Sequence, residues 1–157
     1  MIEQDCCHSF SSRYVDKLRE HGNRLTKTRK LVANCLETIE GPFSTKDLHQ
    51  SLINQGHENF DFATVYRNIQ TLAQLELIHS IPKTGRYIKC NSKHSCLPKS
   101  VHVIYRCDRC ESVNEEQLDQ DLVGSIYFMT KQMNDNFEAK GVVLELSGQC
   151  SDCKTLS

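Results

Sequence analysis

The sequence predicts an α+β protein: an N-terminal winged helix-turn-helix followed by a small C-terminal α/β dimerisation domain with a four-cysteine zinc site. Three observations support this fold class. Capped, helix-period apolar stripes fill the chain up to residue 75, a strand-turn-strand pattern spans 77–90, and two Cys-x-x-Cys motifs lie in the last third. We expect a winged-helix domain over 1–92, a polar hinge over 93–100 and a second domain over 101–157.

Four amphipathic helices are predicted before residue 76. The first ends near Gly22, because glycine favours the left-handed conformation that terminates helices. Polar residues that can cap a helix precede the other three: Thr26, Ser44 with Asp47 three residues later, and Asp61. The fourth helix has an apolar side of Phe62, Val65, Ile69 and Leu72 and a polar side of Thr64, Arg67, Asn68 and Thr71.

The next segment, "LIHSIPKTGRYIKC", is predicted to be a β-hairpin. A two-residue turn at Thr84-Gly85 would place His79 directly opposite Cys90, close enough for both side chains to bind one ion. A cysteine on this apolar face can equally be core, so the hairpin alone leaves the two interpretations open. Helices followed by such a wing form a winged helix-turn-helix, whose last helix enters the major groove of DNA.

The C-terminal part alternates as strands in "VHVIYRC", "SVNEE" and "GVVLEL". Between the second and third strands, apolar residues recur at helical spacing: Leu118, Leu122, Ile126, Met129 and Met133. So small a unit has little core of its own, which predicts a homodimer.

Charge and composition narrow the class of protein. The 157 residues carry a net charge of −1, yet the stretch from Arg13 to Lys30 has seven basic and two acidic residues, which suits a phosphate backbone. No signal peptide or membrane-length apolar run is present, so we expect a cytoplasmic protein without a membrane partner. In such a compartment, nine cysteines indicate metal or redox chemistry sooner than disulfides.

The two motifs Cys107-Asp-Arg-Cys110 and Cys150-Ser-Asp-Cys153 have the spacing of zinc knuckles. Two such knuckles complete a tetrahedral site, which has no open position for a substrate and therefore serves stability. A redox dithiol is the rival interpretation, but that usually involves one motif near a βαβ unit.

Taken in order, "RLTKTR", "FATVYRNIQTL" and "CDRC" with "CSDC" resemble the ferric uptake regulator superfamily. The resemblance covers nearly the whole chain. It implies a dimeric, metal-dependent transcription factor that binds operator DNA and is not an enzyme.

The zinc uptake regulator branch is the most similar, and its sensing site implies a second set of ligands here. His79 and Cys90 from the wing match it, as does Glu115 after the first cysteine pair. His102 is our choice for the fourth ligand, and His94 in the hinge is the alternative. The resemblance therefore implies about two zinc ions per chain, one structural and one regulatory, in a zinc-responsive repressor of metal-uptake genes.

A regulator responsive to iron or another divalent metal, of the ferric uptake or peroxide type, is the alternative function. Those sensors typically carry a His-rich run before the first cysteine pair, where this chain has "SVHVIYRC". A thiolate with imidazoles and one carboxylate favours Zn²⁺ over Fe²⁺ or Mn²⁺.

Contacts to DNA are expected from the fourth helix and the basic segment. Arg67 is the candidate for guanine, with Thr64 and Asn68 beside it on the exposed side. Phosphate contacts are assigned to Arg24, Lys27, Arg29 and Tyr66, although packing at the helix edge is an alternative for Tyr66.

Other cysteines have other expected roles. Cys35 lies on an apolar stripe and is expected to be core. Cys6, Cys7 and His8 belong to a loose terminus, and Cys96 has no assigned partner. An enzyme that uses cysteine as a nucleophile is disfavoured, because a metal-bound thiolate cannot attack. A zinc-stabilised interaction module would leave the basic helices unexplained.

Overall fold

The computed structural model describes residues 9–90, 101–139 and 141–155. The chain divides into two compact units with the boundary after Cys90, and we describe each by itself. Cys6, Cys7, His8, His94 and Cys96 lie outside the described residues, as does the hinge predicted over 93–100. Within the described ranges, no helix is both long and apolar enough to cross a membrane.

The N-terminal unit consists of four helices and a hairpin, as the sequence predicts. Its elements are α1 (Phe10–Glu20), α2 (Lys27–Thr38), α3 (Thr45–Asn54), α4 (Phe62–Gln74), β1 (Ile78–Ile81) and β2 (Arg86–Lys89). Each predicted cap is confirmed: the side chains of Thr26, Ser44 and Asp61 accept hydrogen bonds from backbone amides in the first turns of α2, α3 and α4. One apolar core joins the helices to the hairpin, and Cys35 lies within it, fully buried.

The wing turns over four residues and not two. His79 pairs with Ile88 and Ile81 with Arg86. The amides of Thr84 and Gly85 both donate to the Ile81 carbonyl at 3.1 Å, and Gly85 has a φ of 63°. A two-residue turn would usually need positive φ at threonine, which a β-branched residue resists, so the predicted Thr84-Gly85 turn is wrong.

The corrected register keeps His79 and Cys90 on one face of the hairpin. Cys90 donates its amide hydrogen to the Leu77 carbonyl at 2.9 Å, so it lies beside Leu77 and diagonal to His79. Relative to the predicted register, the partner of each residue on the opposite strand shifts by two positions. Because side chains alternate between the two faces of a strand, only an odd shift would move them to the other face. Diagonal neighbours are farther apart than direct ones but remain within reach of each other.

The predicted capping box at the start of α3 is present and is tied to the wing. The Ser44 amide donates to Asp47 Oδ2 at 2.8 Å, and the Asp47 amide donates to Ser44 Oγ at 3.1 Å. Arg86 of β2 donates to the same carboxylate at 3.2 Å. These donors, the Ser44 backbone above all, hold the pKa of Asp47 below its ordinary value.

We expect Asp47→Asn to lower the free energy of unfolding of the full-length protein at pH 7 by at most about 1 kcal/mol, because both partners are half-exposed and water screens the ion pair. A lowered pKa stabilises the fold above the unfolded-state value of about 3.9, and the contribution disappears as the pH falls through the folded-state pKa. Urea unfolding of wild type and variant at pH 7 and pH 3 measures this. A difference between the two proteins that is the same at both pH values would contradict the prediction.

The C-terminal unit is a three-stranded sheet with two helices. It contains β3 (Val101–Cys107), β4 (Val113–Gln117), α5 (Gln120–Met133), β5 (Val142–Gly148) and α6 (Ser151–Lys154). The strand order is β4-β3-β5, with β4 antiparallel and β5 parallel to β3. The predicted α+β fold class is thus confirmed.

Candidate metal centres and nucleic-acid interface

The first candidate metal centre consists of the four cysteines of the two predicted knuckles. Their sulfur atoms, from Cys107, Cys110, Cys150 and Cys153, all lie within 4.8 Å of one another. Sγ of Cys110 and Sγ of Cys150 are 3.7 Å apart. Four thiolates around one Zn²⁺ at the usual bond length of about 2.3 Å have sulfurs about 3.8 Å apart, so the four side chains fit a tetrahedral zinc ion.

The sheet topology brings the knuckles together. Because β3 and β5 are parallel and Cys107 pairs with Gly148, the two cysteine motifs follow neighbouring strands at the same sheet edge. The Asp108 amide donates to the Gly148 carbonyl at 2.8 Å, and Arg109 Nη1 donates to the Cys153 carbonyl at 2.9 Å. The two knuckles are therefore held to each other by the protein as well as by any metal.

Backbone amides favour the thiolate form of one of these four cysteines. Amides directed at Sγ of Cys107, that of Cys110 first, lower the pKa of the Cys107 thiol to about 6. The sulfur of Cys150 and burial raise the pKa of Cys153 to about 12. Four thiolates cannot all be ionised side by side without a cation, so metal binding releases protons and weakens as the pH falls.

A second set of metal-binding side chains begins at the wing. His79 and Cys90 are both buried, and a ring nitrogen of His79 lies within 4.8 Å of Sγ of Cys90. The Cys90 carbonyl accepts a hydrogen bond from Arg13 Nη2 of α1 at 2.8 Å. The sequence carries no signal for this contact, since the two residues are 77 positions apart.

The C-terminal unit contributes a buried histidine-carboxylate pair on its sheet. His102 lies two residues before Ile104, which pairs with Glu115, so both polar side chains are on one face. His102 Nδ1 is 2.8 Å from Glu115 Oε1, and both side chains are buried. An imidazole nitrogen and a carboxylate oxygen thus lie side by side, and both are common ligand atoms for Zn²⁺.

The predicted DNA-binding residues lie mainly on exposed parts of α2 and α4. Arg67 is exposed and donates to Thr64 Oγ1 at 3.2 Å, and the 45% exposed Tyr66 accepts from Gln70 Nε2 at 2.9 Å. Lys27 and Thr64 line one open cleft of about 450 Å³. Arg24 is exposed, and its carbonyl accepts from Arg29 Nη1 at 2.6 Å.

Two side chains of α4 are not where the sequence predicts them. Asn68 is only 7% exposed and donates to the Thr64 carbonyl at 2.8 Å, so its predicted place on the polar side is wrong. It lies three residues after Val65 and four before Leu72, which puts it on the buried face. Phe62 is 51% exposed although predicted apolar core, because it opens the helix and stacks edge-on against His49.

Comparison with known proteins connects these two metal-ligand sets to a family. Residues 20–146 match the model of the Ferric uptake regulator family. The chain therefore belongs to the ferric uptake regulator family. The resemblance predicted from the sequence motifs is confirmed, and the family is one of regulators.

Two curated relatives within the family carry the name zinc uptake regulation protein. The protein of Mycobacterium tuberculosis strain H37Rv is 30% identical over 137 residues, which are 85% of this chain and 97% of the relative. That of Escherichia coli K12 is 26% identical over 130 residues, covering 83% and 72%. The fold also matches the solved structure of a zinc uptake regulator complexed with zinc and DNA, with a TM-score of 0.71, 23% identity and 93% of each chain covered.

Proposed function

We propose that the protein is a zinc-responsive DNA-binding repressor of metal-uptake genes, activated for operator binding by a regulatory zinc ion. The observation that carries the proposal is the buried imidazole-thiolate pair of His79 and Cys90 on the wing hairpin. The relatives named as zinc uptake regulation proteins support the choice of metal. Such a repressor acts where the chromosome is, which supports the cytoplasm as its location.

Four residues are proposed as ligands of the regulatory ion: His79, Cys90, His102 and Glu115. One thiolate, two imidazoles and a carboxylate form a tetrahedral donor set suited to Zn²⁺, and Fe²⁺ and Mn²⁺ bind such a set less tightly. With the four-cysteine centre, this makes about two zinc ions per chain. A response to iron or another divalent metal remains the alternative within the family.

The proposed mechanism follows from where the ligands lie in the chain. His79 and Cys90 belong to the N-terminal unit, whereas His102 and Glu115 belong to the C-terminal unit. Binding by all four would link the units and restrict the position of the DNA-reading helix. Zinc then strengthens operator binding only to the extent that it binds the DNA-competent conformation more tightly than the other conformations.

We infer that the DNA-binding surface comprises the N-terminal parts of α2 and α4. Arg67 is proposed to read guanine, and Thr64 lies within hydrogen-bonding distance of it. Arg24, Lys27, Arg29 and Tyr66 are proposed to hold the phosphate backbone.

The proposed functional form is a homodimer joined through the C-terminal unit. Large apolar side chains are exposed on that unit: Tyr105, Leu122, Phe128, Met129, Met133, Phe137, Val143, Leu144 and Leu146. So many exposed apolar side chains on one small unit support an interface there. A twofold dimer would present two reading helices to two half-sites about one helical turn apart or multiples of it.

A zinc titration of operator affinity tests the proposal. We expect zinc to tighten binding of wild type to a duplex selected from a random pool by at least about tenfold, a typical size of allosteric coupling. Cys90→Ser should lose this response and retain its four-cysteine zinc. Cys35→Ala, which removes a buried thiol far from the ligands in the chain, is the matched control and should respond as wild type does.

The outcome that would refute the proposal is a zinc response equal in wild type and Cys90→Ser. Repeating the titration with Fe²⁺ and Mn²⁺ separates the alternative function: a stronger response to Fe²⁺ at equal free metal concentration would favour an iron regulator.

A further inference from the structure

We propose that Arg13 of α1 is a positioning residue for the regulatory zinc site, which holds Cys90 in place and connects the first helix to zinc binding. This inference rests on the proposed function only in taking Cys90 as a ligand. It assigns a role to a side chain that neither binds metal nor belongs to the predicted DNA contacts.

The contact fixes the backbone of the ligand at the point where the strand ends. Cys90 immediately follows β2, and its amide donates to the Leu77 carbonyl at 2.9 Å. Its own carbonyl accepts from Arg13 Nη2 at 2.8 Å in a partly buried setting. Both backbone polar groups of Cys90 are thus paired within the N-terminal unit. A metal ligand must be held to within about 0.5 Å, and a strand end without such a second tether frays.

Arg13 is itself held firmly to its surroundings. Its guanidinium lies 5.6 Å from the centre of the Phe10 ring, one turn earlier in α1. The neighbouring Ser11 donates through both its amide and its hydroxyl to Glu37 Oε1 of α2, at 3.0 and 2.7 Å. The anchor of Cys90 therefore rests on two packed helices and not on a flexible surface side chain.

The residue before Cys90 is tied to the same helices. Lys89 Nζ donates to the Leu36 carbonyl near the end of α2 at 2.9 Å. Consecutive residues at the end of β2 are thus bonded to α1 and to α2. When metal binding changes the position or order of Cys90, the hydrogen bond to Arg13 transmits that change to α1. The N-terminal end of α2 carries the basic residues proposed to hold phosphates.

Metal affinity tests the positioning role. The full-length protein is titrated with zinc against a chromophoric chelator of known affinity. We expect Arg13→Gln to bind two zinc ions, with the regulatory ion about tenfold weaker and the four-cysteine ion unchanged, as is typical when a partner that orients a ligand is removed. Arg13→Lys keeps a cationic donor and should recover part of the affinity.

A matched control comes from the same helix. Arg19 has a 76% exposed side chain that pairs with Asp16 across one turn. Arg19→Gln removes the same charge from α1 and should leave the affinity for both zinc ions at the wild-type value.

Amide hydrogen exchange provides a readout that a general loss of stability would not imitate. Adding the regulatory zinc ion should slow exchange in the segment Phe10–Glu20 of wild type and Arg19→Gln, but not of zinc-saturated Arg13→Gln. An equal slowing in Arg13→Gln would overturn the connection between α1 and the site.

The two proposals fail in different ways. If Cys90→Ser keeps both tight zinc ions, the proposed regulatory site is wrong. If Cys90→Ser loses one ion while Arg13→Gln binds both with wild-type affinity, only the inference about Arg13 is overturned. Equal weakening of both ions in Arg13→Gln would show a general loss of stability and would also overturn it.

Discussion

Cys107→Ser is expected to remove one tightly bound zinc ion per chain and to unfold the C-terminal unit while the N-terminal unit stays folded. Structural zinc supplies on the order of 10 kcal/mol of folding free energy in small domains. The described core of this unit is small, with four buried aliphatic side chains in Val101, Val103, Ile104 and Val123. Losing one of four thiolates therefore removes the largest single source of its stability.

Metal analysis and two-dimensional NMR measure this expectation directly. In Cys107→Ser, resonances of residues 101–155 should collapse to unfolded positions, whereas those of α1 to β2 should stay dispersed. Chelation of zinc from the wild type should produce the same spectrum. Cys35→Ala is the control for loss of a thiol and should keep both its zinc and its dispersed spectrum, because Cys35 lies in the core of the other unit.

A folded C-terminal unit in zinc-free Cys107→Ser would contradict the assignment of this site as structural. The backbone bonds between the knuckles, such as Asp108 to Gly148, would then be sufficient without metal. Partial zinc retention with three thiolates would lower the size of the effect but keep its direction.

Arg67→Ala is expected to weaken operator binding by about 1–3 kcal/mol and to relax the sequence preference at one position of each half-site. The side chain is exposed on the first half of α4, and its hydrogen bond to Thr64 Oγ1 restricts the guanidinium to fewer rotamers. Arg67→Lys should recover little, since a single ammonium cannot reproduce a bidentate contact to guanine.

Lys27→Gln is the comparison that separates base reading from phosphate binding. A lost phosphate contact should weaken all duplexes alike and reduce the slope of log affinity against log salt by about one. Fluorescence anisotropy with the zinc-loaded protein, on the selected duplex and on duplexes with single base changes, distinguishes the two patterns. Uniform weakening by Arg67→Ala across all duplexes would show that Arg67 binds phosphate and not guanine.

Helix starts and the four-cysteine centre could be predicted because their information is local. A cap needs only a side-chain oxygen within three residues of an amide, as at Thr26, Ser44 and Asp61, and all three are confirmed. A zinc knuckle likewise needs two cysteines separated by two residues. Each of these features depends only on residues a few positions apart, so the folding of the rest of the chain does not alter them.

The wrong predictions concern short segments whose sequence fits more than one local structure. The Thr-Gly pair predicts a two-residue turn, but the four-residue loop from Pro82 to Gly85 puts its one positive φ at glycine and leaves Thr84 unstrained. Residue type predicts Asn68 on the polar side of α4, although its helical position is on the buried face. Helical periodicity, and not polarity, places Asn68 on the buried face. The preference of glycine for positive φ determines the turn.

By itself, the sequence determined the starts of α2, α3 and α4, the spacing of the four cysteines and the family that its motifs resemble. Only the tertiary structure decided the parallel pairing of β3 with β5, the pairing of His102 with Glu115 and the hold of Arg13 on Cys90. The physical reason is separation along the chain. Contacts such as that of Val101 with Val142, or those between residues 13 or 77 positions apart, depend on how whole elements pack, and no local propensity or spacing encodes them.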